Sequence, residues 1–228
     1  MKSLIILISF FVGLVTYCFA LESKFLEATI SLKNSSVRYD GSYRKISYPM
    51  GDVPADTGVC SDVIIRAYRG IDIDLQKLVH EDMKRNFSIY PKNWGLSTTD
   101  RNIDHRRVPN LQVFFKRHGK TLKVTDNPDD YKPGDLVTWN LRASGSLPHI
   151  GIVTDLYSEE SNLPLIMHNI GGGQVLEDML FDFCETINES DIALLGKMMI
   201  SCGAADQTLE RIHAEVGRKG SGDGKENK

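Results

Sequence analysis

The sequence predicts an α+β domain, with helices over its first half and a meander of antiparallel strands packed against them. Apolar residues recur at helical spacing as far as about residue 118. From Pro133 onward the pattern becomes short runs rich in β-branched residues. Turn-prone stretches at 142–148 and 158–164 separate those runs. Helices first and strands second is the signature of helices laid on one sheet.

Each element follows from its residues. Phe25, Leu26, Thr29 and Ile30 share one face of a helix expected over 25–32. After Cys60, the residues Val63, Ile64, Ala67 and Tyr68 keep helical spacing, and Gly70 stands where a C-terminal cap belongs. Asp74 is placed to cap a second helix carrying Leu75, Leu78, Val79 and Met83. A third helix is expected over 110–118, ending at Gly119. Strands are expected at 136–141, 149–156 and 165–170.

The two ends read differently from the middle. Lys2 precedes an uncharged apolar run from Leu4 to Tyr17, then Cys18, Phe19 and Ala20, a small-x-small ending before polar sequence. That is the layout of a secretory signal peptide cleaved after Ala20, the rival being a retained membrane anchor. Residues 1–20 are therefore expected to be a leader and 21–203 one domain. The stretch 204–228 is polar and expected to be a disordered tail. With the leader gone no membrane span is expected, and the address is the bacterial periplasm or the exterior. A net charge of −3 at pH 7 argues against nucleic acid as a partner.

Beyond the leader remain Cys60, Cys184 and Cys202. An odd thiol count in an oxidising compartment leaves one over; the count alone does not fix the pairing, and the hypothesis is a Cys184–Cys202 disulfide with Cys60 free, against three buried, inert thiols. Cys60 is predicted to start a helix, where the dipole and unpaired amides would stabilise thiolate and lower its pKa. Gly58 is expected to allow a sharp turn into that helix. His149 opens a strand and, by the period of two, shares a face with Gly151 and Val153. His168 lies on the next strand, within reach of an orienting hydrogen bond. Nucleophile, base and orienter would then be Cys60, His149 and His168. Asp104, His105 and His118 lack a tight ligand spacing, so neither a metal nor any other cofactor is expected.

These residues carry a resemblance. A helix-starting cysteine, the Pro133-Gly134-Asp135 lead into a strand, and the His149-Ile150-Gly151-Ile152-Val153 strand followed by His168 resemble the NlpC-type cell-wall cysteine peptidases, a papain-like branch. Tyr48 with Gly51 resembles the family's Tyr-x-x-Gly, which implies an oxyanion role for Tyr48. This chain departs from the family in Val59-Cys60-Ser61-Asp62 and in Asp52. Further stretches resemble the YijF-like periplasmic family, grouped with the papain-like peptidases: 58–70, 79–83, 102–110 and 168–171. The resemblance implies a papain-like fold and an exported cysteine hydrolase.

The compartment makes peptidoglycan stem peptides the expected substrate, cut as an endopeptidase or amidase. Residues 101–123 hold seven Lys or Arg against one acid, Asp104. Stem peptides are rich in carboxylates, so Arg106 and Arg107 are candidate substrate-binding residues, against the plainer reading of a solvated basic surface. Two alternatives stay open: a non-catalytic cell-wall binding module, and an acyltransferase or thioesterase using the same triad.

Overall fold

The computed structural model describes residues 20–142 and 145–182, and the backbone of 197–199. Helix α1 covers 20–31, followed by strands β1 (Arg38–Tyr39) and β2 (Thr57–Gly58). Three more helices come next: α2 (Cys60–Arg69), α3 (Leu75–Arg85) and α4 (Val108–His118). Six further strands complete the described residues: β3 (Lys120–Leu122), β4 (Leu136–Asn140), β5 (Pro148–Tyr157), β6 (Pro164–His168), β7 (Val175–Glu177) and β8 (Lys197–Met199). The fold is α+β, as expected. The expected tail and Cys184 and Cys202 lie outside the described residues, as does nearly all of the expected leader. Among the described residues no helix is long and apolar enough to cross a membrane.

Strands β3 to β8 form one antiparallel sheet in the order β3-β8-β4-β5-β6-β7, and β1 pairs with β2 in parallel. Period-two alternation gives the sheet two apolar faces. Leu136, Ile150, Ile152 and Met167 face the helices and share a core with Val63, Ile64, Val79, Leu111 and Phe115. Val137, Trp139, Val153 and Ile166 face the other way, onto Tyr131, Met179 and Leu180. Fully burying such aliphatic side chains is worth ~1.5–3 kcal/mol each. This two-sided burial explains why β4 and β5 read as apolar runs.

Asp74 caps α3 as expected, accepting from the Lys77 N–H at 3.1 Å. Helix α4 starts two residues earlier than expected, since Pro109 fits the first turn, where an N–H has no partner to lose. Strand β6 ends at His168, two residues short of expectation. There the Asn169 side chain turns away to donate to the Gly58 carbonyl at 3.3 Å.

Candidate active site

Cys60 is the first residue of α2, with Val59 as its N-cap. The cap is built from behind: the Asp62 carboxylate accepts the Val59 N–H at 2.7 Å. That carboxylate is held in turn by the Arg106 guanidinium, whose Nε and Nη2 donate at 2.8 and 2.9 Å. Arg106 also donates to the carbonyls of Asp40 and Ser42, and its own carbonyl accepts the Ser61 hydroxyl. Gly58 does not turn on a positive φ. It sits in β2, where an added Cβ would lie 3.3 Å from both Asp62 Cβ and Arg66 Nη1. Its part is close packing beneath the helix start.

The thiol is free and buried. The Ile150 N–H donates to its sulfur, so Cys60 sits at the opening of β5, one residue from His149. The N–H groups of Ser61 and Cys60 also point at the sulfur. Burial outweighs them and, helped by the Asp62 charge, pushes the thiol up to about 11. The expected low thiolate pKa is thus corrected. The amides at the helix start are present, but desolvation disfavours the charged form more strongly. His149 moves the opposite way for the same reason: burial, then the neighbouring His168, pulls it down to about 3. The pair rests as thiol and neutral imidazole.

Strands β5 and β6 pair Ile152 with Met167 and Val153 with Ile166. That register puts His168 across from Gly151 and diagonal to His149. An added Cβ on Gly151 would fall 2.5 Å from Ile166 Cγ2 and 3.3 Å from His168 Cβ, so glycine there is what lets β6 close in. The two rings meet edge-on, with His149 Nε2 and His168 Nδ1 3.0 Å apart. Trp139 covers His149, ring centroids 5.7 Å apart, and anchors its own Nε1 on the Leu180 carbonyl. The chain continues past His168, whose Nε2 lies 2.9 Å from Glu177 Oε2. Glu177 pairs with Ile166 across β6 and β7, which places it on the same face and diagonal to His168. Burial pulls His168 below the usual imidazole value, and the Glu177 carboxylate pulls it back up.

Of the residues singled out from sequence, His149 and His168 meet directly, and Cys60 reaches β5 at the Ile150 N–H, one residue from His149. Tyr48 does not join them. Its ring meets His80 edge-on at 5.4 Å, with Arg101 5.4 Å above it. The tyrosine beside the thiol is Tyr39 on β1, opposite Gly58, whose hydroxyl hydrogen-bonds Cys60. Burial and the nearby Cys60 and Asp62 push the Tyr39 phenol up to about 12, so it stays an O–H donor. Arg106 is corrected as a substrate ligand, because its side chain is 2% exposed and its fork is filled by Asp62. Arg107 lies with its guanidinium 4.0 Å over the Trp94 ring and 3.4 Å from Asp104.

Glu177 and Tyr39 escaped the sequence reading. The Gly171-Gly172-Gly173 run before Val175-Leu176-Glu177 is the signal that could have exposed β7 as a return strand. Two-residue β1 offers no such signal.

A buried thiol at a helix start, set against a two-histidine, one-carboxylate chain on an antiparallel sheet, defines the class of α+β protein. The chain belongs to the family described as a domain of unknown function, DUF1287, whose model matches residues 26–188. The uncharacterised protein YijF of Escherichia coli (strain K12) is 52% identical over 149 residues, covering 65% of this chain and 71% of YijF. No solved structure matches.

Proposed function

We propose that this protein is an exported cysteine hydrolase of the papain-like, NlpC-type branch that cleaves amide bonds in peptidoglycan stem peptides. The observation that carries the reading is the buried Cys60 thiol at the Ile150 N–H, one residue along β5 from the hydrogen-bonded His149–His168 pair. His149 uses Nε2 toward His168, which leaves Nδ1 for the thiol proton. As the Sγ–C bond forms, the S–H proton passes to His149 Nδ1 and the carbonyl electrons move onto oxygen. The Cys60 N–H and the Tyr39 hydroxyl are the donors for that oxyanion. The C–N bond then breaks, and the leaving amine takes the proton from His149. Water attacks the thioester, His149 accepts its proton, and the acid leaves as the thiol is restored.

Because thiol and imidazole rest neutral, the proton moves with bond formation rather than before it. The exposed apolar side chains Tyr39, Leu147 and Ile170 flank the thiol, His149 and His168 in sequence or register, and form a rim for an apolar part of the substrate. The peptidoglycan assignment rests on the secretory layout of residues 1–20 and on the family resemblance.

The test is mass spectrometry of muropeptides after incubation of sacculi with the purified protein and with Cys60→Ala. New amine and acid termini made by the wild type alone support the reading. Transfer of the acyl group to an added amine would redirect it to acyl transfer. Unchanged muropeptides in both samples would remove the substrate assignment.

A further inference from the structure

We infer that Glu177 is a positioning residue that selects the tautomer of both histidines through the hydrogen-bonded chain His149–His168–Glu177. The inference deepens the proposed hydrolase reading and rests on it for its catalytic meaning, but its structural content can be measured without a substrate.

An ionised carboxylate only accepts hydrogen bonds, so Glu177 Oε2, 2.9 Å from His168 Nε2, requires the proton on that nitrogen. A neutral His168 then has Nδ1 as an acceptor. His149 Nε2, 3.0 Å from it, must donate. With its proton on Nε2, neutral His149 has Nδ1 free to accept from a thiol. One carboxylate therefore decides, two rings away, which nitrogen can act as a base.

Without that acceptor the chain has a second solution. His168 can carry its proton on Nδ1 and donate to His149 Nε2, which forces the His149 proton onto Nδ1. The imidazole then has no lone pair to offer the thiol. A protonated His168 donates in the same direction and has the same result. The titratable groups around His168 are His149 on β5 and Glu177 on β7, with Cys60 brought by α2; Asp62 of α2 is held by Arg106. Glu177 thus has two opposed effects. It selects the productive tautomer of neutral His168, and its charge draws a proton onto His168 as pH falls.

A ring locked in the wrong tautomer costs ~10⁴-fold in the serine-protease triad. Here the two tautomers compete once the carboxylate is gone, so Glu177→Leu should lose activity in proportion to the molecules in the unproductive form, about two-fold at equal populations and more as that form gains. The Glu177 side chain is 50% exposed on a three-residue strand, so the substitution leaves the core untouched.

The experiment is long-range ¹⁵N–¹H NMR of the histidine rings in the purified protein, with Cys60 alkylation rates by iodoacetamide against pH. Wild type should show Nε2-protonated His149 and His168. Glu177→Leu should move protons to Nδ1 on both rings and slow alkylation. Glu177→Gln keeps an acceptor oxygen without the charge. It should retain part of the wild-type tautomer population and move the acid limb of alkylation to lower pH. Wild-type rings protonated on Nδ1 would overturn the inference, as would a Glu177→Leu variant with unchanged tautomers and pH profile. Those NMR outcomes are separate from muropeptide cleavage, so the tautomer inference can stand or fall without deciding the substrate.

Discussion

Two buried polar clusters flank the start of α2, and they are built on opposite rules. Asp62 and Arg106 form a closed set, each side chain 2% exposed, with the carboxylate and guanidinium paired in a fork and the remaining donors on backbone carbonyls. Such a set holds shape, because moving any member strands a buried charge. The His149–His168–Glu177 chain is open: one end is a half-exposed carboxylate and the other the His149 imidazole, which His168 engages through Nε2 alone. A cluster with a spare site can pass a proton. The protein buries its fixed ion pair where it cannot move and keeps its neutral imidazoles where a proton can.

The comparison breaks first at His149. His149→Ala should cost ~10²–10⁴-fold in turnover, the range of general acid–base catalysis, with the fold retained. His168→Asn should keep measurable activity, since an amide oxygen can still accept from His149 Nε2. Muropeptide release assays check both, and a His168 variant worse than the His149 one would reverse their ranks.

In the closed cluster the loss should appear in stability. Asp62→Asn leaves Arg106 buried without its counter-charge, and ~3–5 kcal/mol is expected from breaking one partner of a buried pair. Urea denaturation measures it. A change within ±0.5 kcal/mol would mean that the cluster is no closed frame.

Tyr39→Phe should lower turnover by up to about 10²-fold, the low end for one oxyanion donor, whereas Tyr48→Phe should leave kcat unchanged. Equal effects would contradict the placement of Tyr39 beside Cys60.

The smallest expected effect is the pH dependence of Tm. His149 and His105 are both pulled by burial down to about 3. Their neutral forms support the fold above the ordinary imidazole value near 6.5, and that support is lost as pH falls from there toward 3, where the unfolded chain binds more protons. Asp104 opposes them. Burial raises it to about 6, so its contribution is complete below about 4 and lost as pH rises through 6. Tm should fall on acidification, and His149→Gln should flatten that fall. A fall in Tm that is just as steep in His149→Gln would show that the His149 imidazole does not cause it.

Much of this was legible in the chain. Cys60, His149 and His168 stood out because local rules reach them: a glycine before a helix start, and alternation along two strands. Their neighbours did not stand out. Glu177 lies on three residues of strand, too short for a period of two to register. Arg106 read as part of a basic surface patch, because a linear count of charge cannot distinguish a solvated guanidinium from one folded against Asp62, 44 residues away.

The sequence by itself determined the helices, the strands of the sheet centre, and which histidines lie on adjacent strands, since hydrophobic periodicity and capping are local. Only the tertiary structure decided that Tyr39 rather than Tyr48 meets the thiol, that Arg106 faces inward, and that Glu177 closes the histidine chain. It also decided the sign of the Cys60 shift. A helix start lowers a thiol's pKa wherever it occurs, but burial between α2 and β5 raises it, and burial depends on every element that packs around the site.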